Sequence, residues 1–457
     1  MKTPAYYSID QGREPDFNRQ LAESAGDVLT PWGPAGELRS GRLPPGRGTP
    51  REEVARSQRE RLYGAVVAAV SVRGYESTRV ADLLELSGVS RKAFYAHFAD
   101  KRECFLGAVR ALVRAGTEIM LAGYEVPGDW EERARSGLGA FASLLAAQPA
   151  AARMCFVEVY AAGEPAIELI DGAFNGFEVV LATALEKTPE RAGMPPEMVR
   201  ALLGGMRKVF HTRLHRGQEA ALAAVTPQLA DWALAYRPPP RALRHPPAPA
   251  PPAAGPDPFT VHDQAERIIR AVATVVARRG YARTTVEEIV AEAACSLTTF
   301  YAHFENKEAA VLAALDRGGA LMVAAIGPAY RRARSWPVAV RAAIGAMFAF
   351  ALTEPDFARL GAVEVYAAGR NALEQRDAVM EALTPLLAPG YERNPEASPL
   401  AAEAIGGAIY ALTYDQVRAG GPSSLPEIGP LATYIALAPF LGPDGACRVA
   451  NGEGRIG

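Results

Sequence analysis

Two short runs in this 457-residue chain hold side chains suited to a polyanion. The first is Ser90-Arg91-Lys92 with Tyr95, followed by Asp100-Lys101. If Ser90 caps a helix, Arg91 and Tyr95 are four apart and share a face, away from the face of Phe94 and Phe98. Arg and Lys on such a face can donate to guanine edges in a major groove. A capped helix start with a lysine beside it suits a phosphate. The second run is Ser296-Leu297-Thr298-Thr299 with Tyr301, followed by Asn306-Lys307. It lacks the two cations, but Leu297 and Thr299 could still touch thymine methyl groups.

The two runs are copies. FYAHF occurs at Phe94–Phe98 and Phe300–Phe304, and VEVYAAG at Val157–Gly163 and Val363–Gly369, both 206 residues apart. Gly74-Tyr75 and Gly280-Tyr281 keep the same offset, and later pairs such as Gly204-Gly205 with Gly406-Gly407 keep 202. A period this long means a duplicated domain, not a solenoid. Apolar residues at helical spacing lead into each Gly-Tyr pair: Leu62, Val66 and Val70 in copy one, Ile268, Val272, Val275 and Val276 in copy two. A second helix of about eight residues follows Thr78 or Thr284, with Thr284 and Glu287 expected as a capping box. Ser87-Gly88-Val89 and Ala293-Ala294-Cys295 then break the chain before the FYAHF helix. Two short helices, a tight turn and a polar second helix are the pattern of a helix–turn–helix. No hairpin signal stands between alternating residues, so no sheet is expected.

The stretches RGYESTRVADLLELSGVSRKAFYAHFADKRE and RGYARTTVEEIVAEAACSLTTFYAHFENKEA resemble the tetracycline-repressor (TetR) family of transcriptional regulators. The resemblance implies an all-α fold with two tandem copies, each a three-helix DNA-binding domain plus a larger helical ligand and dimerisation domain. It puts Ser90, Arg91, Lys92 and Tyr95 on a recognition helix, and Thr78, Tyr95, His97 and Lys101 at or near phosphates. The copy-two counterparts are Thr284, Ser296, Leu297, Thr298, Thr299, Tyr301, His303 and Lys307. It also implies a double-stranded DNA operator and an unidentified small-molecule effector as partners, repression as the usual outcome, and dimer contact through the last two long helices. Those helices would hold Gly204-Gly205 with Leu229–Tyr236, and Gly406-Gly407 with Leu431–Ala438.

Copy two departs from the family pattern. Ala294 replaces the turn glycine, where a left-handed conformation would cost about 1 kcal/mol. Residues 51–110 hold 11 basic and 8 acidic side chains, whereas 262–317 hold 7 and 8. Copy one is therefore expected to be the stronger reader. Copy two is either a weaker reader or a decayed one kept as a packing partner.

Other candidates have plain alternatives. Glu158 and Tyr160, like Glu364 and Tyr366, are either polar tips of a core helix or the wall of a ligand pocket. His211 and His215 are four apart, which is possible metal geometry, but no third ligand lies nearby in sequence, and no metal or other cofactor is expected. No catalytic constellation is present, so no enzyme is expected. The net charge of −2 gives no global positive field, so any DNA footprint must be local. The four cysteines show no paired spacing, no signal peptide or membrane span is expected, and the location expected is cytoplasmic.

The expected organisation is an irregular extension over 1–50, a DNA-binding domain over 51–104 and a helical body over 105–236. A Pro/Ala-rich linker over 237–258 leads to a second DNA-binding domain over 259–310, a second body over 311–441 and a tail over 442–457. The linker's 22 residues at about 3.1 Å each would reach roughly 68 Å. That is long enough for the two bodies to pair within one chain, an intramolecular pseudo-dimer, with further dimerisation left open.

Overall fold

A computed structural model describes residues 24–43, 50–244 and 263–453. The first 23 residues and most of the proline-rich linker lie outside the described residues. Copy one runs through α1 (Arg51–Ser77), α2 (Val80–Ser87), α3 (Arg91–His97), α4 (Lys101–Tyr124), α5 (Trp130–Ala147) and α6 (Pro149–Phe156). A 3-10 turn over Glu158–Ala162 precedes α7 (Glu164–Glu186), α8 (Pro196–His215) and α9 (Leu222–Leu234). Copy two repeats the order with α10 (Gln264–Arg279), α11 (Val286–Glu292), α12 (Leu297–His303), α13 (Lys307–Arg331), α14 (Trp336–Thr353) and α15 (Pro355–Ala362). A 3-10 turn over Glu364–Tyr366 leads to α16 (Arg370–Leu383), the short α17 (Pro389–Arg393), α18 (Ala401–Gly420) and α19 (Leu425–Ala450). Among the described residues the fold is all-α apart from one small hairpin.

The chain divides into two compact units: residues through Ile119 with Ser143–Ala162, and Met120–Ala142 with Gly163 onward. The copy-one body expected over 105–236 is thus shared between them. In the first unit Leu62, Val66, Phe94 and Phe105 are buried, and α1 packs on α2 and α6. The N-terminal extension is not irregular throughout. Leu29–Thr30 pairs antiparallel with Gly33–Pro34, Leu29 opposite Pro34. Thr30 closes the turn, its Oγ1 donating to Gly33 O at 2.7 Å. The hairpin was not legible because each strand is only two residues long, too short for any alternation.

In the second unit the longest helix contact joins the copies: α8 packs along α18. Small residues permit it. A Cβ built on Gly205 would stand 2.6 Å from Ala404 O, and one on Gly407 would stand 3.1 Å from Gly205 Cα. Polar contacts flank the glycines. Lys208 Nζ lies 2.8 Å from Asp377 Oδ2. Arg213 donates two bonds to Glu403, at 3.1 and 3.0 Å. Tyr414 OH donates to Asp171 at 2.8 Å, and Arg418 pairs with the same carboxylate. Beyond the helix pair, Tyr236 OH donates to Ile435 O and Tyr434 OH to Arg237 O, both at 2.8 Å.

One expectation changes here. Residues 442–450 are not a frayed tail. Gly442 (φ +69°) breaks α19 and Pro443 restarts it, where a missing N–H costs nothing. Cys447 is buried, and Asn451 Oδ1 accepts from Arg244 N at 2.7 Å. Helices α13 and α14 have the length and apolarity of membrane spans, with mean hydropathy 1.7 and 1.5. They pack on one another, and α14 also packs on α19.

His211 sits at the contact of α8 with α16, stacked on His215 at 5.7 Å, with Nδ1 3.6 Å from Asp377. Burial first, then the nearby Arg376 and Lys208, lower its imidazole to about 3, against the pull of Asp377. A folded-state pKa below the unfolded value near 6.5 means stability is present above 6.5 and is lost as pH falls towards 3. Acidifying from pH 7 to 5 should therefore remove about 2 kcal/mol through this group alone. Urea midpoints measured across that range should fall in the wild-type chain, and markedly less in His211→Asn. An identical fall in the variant would assign the loss to other groups.

Candidate DNA-reading interface

Helix α3 is short because its ends are fixed by local chemistry. Ser90 Oγ accepts from Ala93 N at 3.2 Å. In copy two Ser296 Oγ accepts from Thr299 N at 3.0 Å. Phe94 and Phe300 are buried, each with its partner Phe98 or Phe304 at 5.8 Å. That contact fixes which face of each helix points out. The outward face holds Arg91, Lys92 and Tyr95 in copy one, and Leu297, Thr298 and Tyr301 in copy two. Tyr95 and Tyr301 are 51 % and 56 % exposed, unusual for tyrosines that also edge onto a buried phenylalanine. Thr299 is half-buried and His303 exposed. His97 Nε2 lies 2.8 Å from Gln58 Oε1, and burial, with Arg59 nearby, lowers its pKa.

The turn before each reading helix is left-handed in both copies. Gly88 has φ +62°, and Ala294, at φ +49°, is the sole non-glycine with positive φ among the described residues. Copy two therefore keeps the geometry of the turn at the cost of a strained alanine.

The remaining candidates converge elsewhere, on the Gly-Tyr corner. Gly74 (φ +75°) breaks α1 three residues before its end, and Gly280 (φ +81°) ends α10, so each turns the chain at the same point. Thr78 and Thr284 are buried, and their hydroxyls donate back to Gly74 O at 2.8 Å and Gly280 O at 2.9 Å. Thr284 is thus occupied, and the capping box of α11 is made one residue later, by Thr285 with Glu288. Lys101 Nζ donates to Tyr75 O at 2.8 Å and lies 4.2 Å from the Tyr75 ring centre. Lys307 Nζ donates to Tyr281 O at 3.0 Å and lies 4.3 Å from the Tyr281 ring centre. Burial lowers both ammonium pKa values.

The corner is closed by the glutamate of VEVYAAG. Glu158 Oε2 accepts from Tyr75 N at 3.1 Å, and Glu364 Oε2 from Tyr281 N at 3.0 Å. Burial raises the Glu364 pKa, while the Tyr281 N–H and Arg359 pull it down. These two carboxylates brace the corner. The sequence reading missed this role, although its signal is present: Tyr to Glu is 83 residues and Tyr to Lys 26 residues in both copies.

Tyr160 and Tyr366, two residues after the glutamates, are buried. Tyr366 faces Tyr414 and Tyr410, ring centres at 5.4 and 6.3 Å. The Arg376 guanidinium lies 5.2 Å from the Tyr366 ring and 4.9 Å from that of Tyr410, and it pairs with Asp377. Arg207 of α8 lies over Phe174 at 4.6 Å. Nothing in the spacing of these residues announced the cluster.

Replacing Glu364 by Ala leaves the Tyr281 N–H without its acceptor, which should cost about 1–3 kcal/mol. Hydrogen exchange should then accelerate at Tyr281, and in Glu158→Ala at Tyr75. Unchanged protection at both amides would remove the brace.

The family signature described as "Bacterial regulatory proteins, tetR family" matches residues 66–108 and 268–314. Over 56 residues the chain is 39 % identical to the HTH-type transcriptional regulator YerO of Bacillus subtilis, covering 12 % of this chain and 19 % of that protein. It is 34 % identical over 62 residues to the HTH-type transcriptional regulator YezE of the same organism, covering 14 % and 32 %. The chain thus matches less than a third of the length of these relatives. Two solved structures are similar at a TM-score of 0.36. They are the fatty acid degradation regulator FadR from Bacillus halodurans (16 % identity, 38 % of this chain, 97 % of that one) and the transcriptional regulator FadR from Bacillus subtilis in complex with stearoyl-CoA (17 %, 38 % and 96 %). With the signature matched at both corners and both reading helices, the chain carries two tandem copies of the segment that marks the TetR family of bacterial regulatory proteins.

Proposed function

We propose that the chain is a ligand-responsive transcriptional regulator, a repressor by its family's usual sign, that binds an operator as a covalently fused pseudo-dimer with copy one the stronger reader. The observation that carries this reading is the α8–α18 contact. Helices from the two copies approach through Gly204, Gly205 and Gly407. The chain itself thus contains a helix pairing of the kind the family makes between subunits. Pairing inside one chain does not depend on protein concentration. Size-exclusion with light scattering should give the mass of one chain across a wide dilution range; a stable particle of two chains would overturn the monomeric form.

Asymmetry follows from the exposed faces. Arg91 and Lys92 can each donate to a base or a phosphate, whereas Leu297 and Thr298 offer contacts only to methyl groups and a single hydroxyl. Arg91→Ala with Lys92→Ala should weaken operator binding by about 2–6 kcal/mol, at 1–3 per contact, and relax preference on one half of the site. Leu297→Ala with Thr298→Ala should cost clearly less. Equal losses, measured on DNA selected from a random pool, would refute the asymmetry.

For regulation, an effector acts only by binding one reader arrangement better than another. The route suggested by the residues runs from the Tyr366–Arg376–Tyr410 cluster through the adjacent Glu364 to the Gly280 corner. A second reading, a helical ligand- or partner-binding protein with one or both readers decayed, draws support from the strained Ala294. Absence of any sequence preference in the selected pool would favour it.

A further inference from the structure

We propose that residues 38–43 form a DNA-contacting arm for copy one, with Arg39 and Arg42 adding phosphate contacts beside its reading helix. This rests on the reading that copy one binds DNA. The segment is seated on the reader by its apolar side chains. Ala25, Ala35 and Leu38 are buried, and the Trp32 ring lies 5.4 Å from that of Tyr63 on α1. Leu38 fills the space that Gly64 leaves; a Cβ there would stand 2.8 Å from Leu38 Cδ2. The chain then crosses the helix–turn–helix turn, where a Cβ on Gly88 would stand 2.7 Å from Arg39 Cγ.

The charges are segregated along this segment. Asp27 and Glu37 precede Leu38, while Arg39 and Arg42 follow it, and both arginines are exposed. Gly88 is three residues before Arg91, at most about 11 Å along the chain. Arg39 therefore stands beside the start of the reading helix, on the scale of the roughly 10 Å Debye length at 0.1 M salt. Exposed Arg91 and Lys92 open the reading helix at this end of the reader. The main opposing charge is Glu85, whose Oε1 is 2.8 Å from Arg39 Nη1, with the two side chains 46 % and 66 % exposed. An ion pair so exposed is weak and yields readily to a phosphate. Beneath the arm, Arg61 Nη1 donates to Ser87 O at 2.6 Å and ties α1 to the turn.

A second, independent observation comes from the repeat. At the 206-residue offset Arg39 falls on His245 and Arg42 on Ala248, within the proline-rich run RHPPAPA. Neither of these two positions ahead of copy two is an arginine, whereas copy one, whose reading face is cationic, has both.

The test is the salt dependence of binding by the full chain to a duplex selected from a random pool. Arg39→Gln with Arg42→Gln should lower the slope of log K against log salt by about 2, near 0.9 per phosphate. Base preference and thermal midpoint should be unchanged. Glu85→Gln, which frees Arg39 without disturbing the packed side chains, should instead tighten binding severalfold at low salt. An unchanged slope in the double variant, with Arg91→Ala and Lys92→Ala still weakening binding, would leave the segment a brace only and overturn the arm alone. Tighter binding in the double variant would make the segment an occluding cap, and would also overturn it. A wild-type chain that selects no DNA would overturn the copy-one reading and the arm together.

Discussion

A half-buried carboxylate accepting one backbone N–H, made twice, is the constraint on which each reader depends. Gly74 and Gly280 swing the chain out of the first helix, and the next amide, on Tyr75 or Tyr281, points away from that helix and needs an acceptor. No residue close in sequence supplies it. Glu158 and Glu364 do, from a 3-10 turn 83 residues later. On the other side of the same residue, Lys101 and Lys307 donate to the tyrosine carbonyl. Both polar groups of one exposed corner are thereby satisfied by side chains from the helices that follow. The second and third helices of the reader hang from this corner, so their tilt is set by the turn that carries VEVYAAG.

That constraint explains what the duplication kept. The Gly-Tyr pair, the lysine and the glutamate form one closed set: losing the glutamate leaves the tyrosine N–H without its acceptor, and losing the lysine leaves the tyrosine carbonyl only its longer bond from Thr78 N or Thr284 N, at 3.3 Å. The outward faces of the reading helices carry no such obligation to the fold. SRK in one copy stands against SLT in the other with Phe94 and Phe300 both buried, because face and core are separated by helical periodicity. Ala294 lies between these cases. It keeps a left-handed turn that glycine would adopt freely, held by backbone bonds from Ala294 N to Ala291 O at 3.2 Å and from Cys295 N to Val290 O at 3.0 Å.

Much of this was legible in the sequence, and the reasons divide cleanly. The two copies, their helices and the outward positions of Arg91, Lys92 and Tyr95 follow from periodicity and caps, which are local. The roles of Thr78, Lys101 and Glu158 were not legible singly, because each depends on a partner brought close by the fold. A hydroxyl or ammonium near a helix start reads as a phosphate ligand when its neighbours are unknown; here a carbonyl occupies it. The helix near the C-terminus escaped notice because Gly442 and Pro443 read as an ending, although a glycine break followed by proline is also how a helix restarts. The buried group around Arg376 has no sequence signature at all, since its members come from α7, α8, α16, α18 and the 3-10 turn at Glu364.

The contact between α8 and α18 carries a further consequence of having both copies in one chain. Asp171 and Asp377 are equivalent positions, 206 apart, and both carboxylates reach across to the helix of the other copy. Their partners are not equivalent. Asp377 meets Lys208 and His211, whereas Asp171 meets Tyr414 and Arg418. In a twofold-symmetric pair of identical chains every substitution appears on both sides, so a contact must be complementary to itself. In the fused chain each side can change alone. Lys208 aligns with Tyr410 at the later offset of 202, and Tyr410 sits in the aromatic group around Arg376 instead of on a carboxylate. Small residues at the centre of the contact are retained, because close approach leaves room for nothing larger, while the polar flank has drifted into two chemistries. The same freedom acts on the reading helices, so asymmetry in the outer contacts of the helix pair and asymmetry in the readers have one origin.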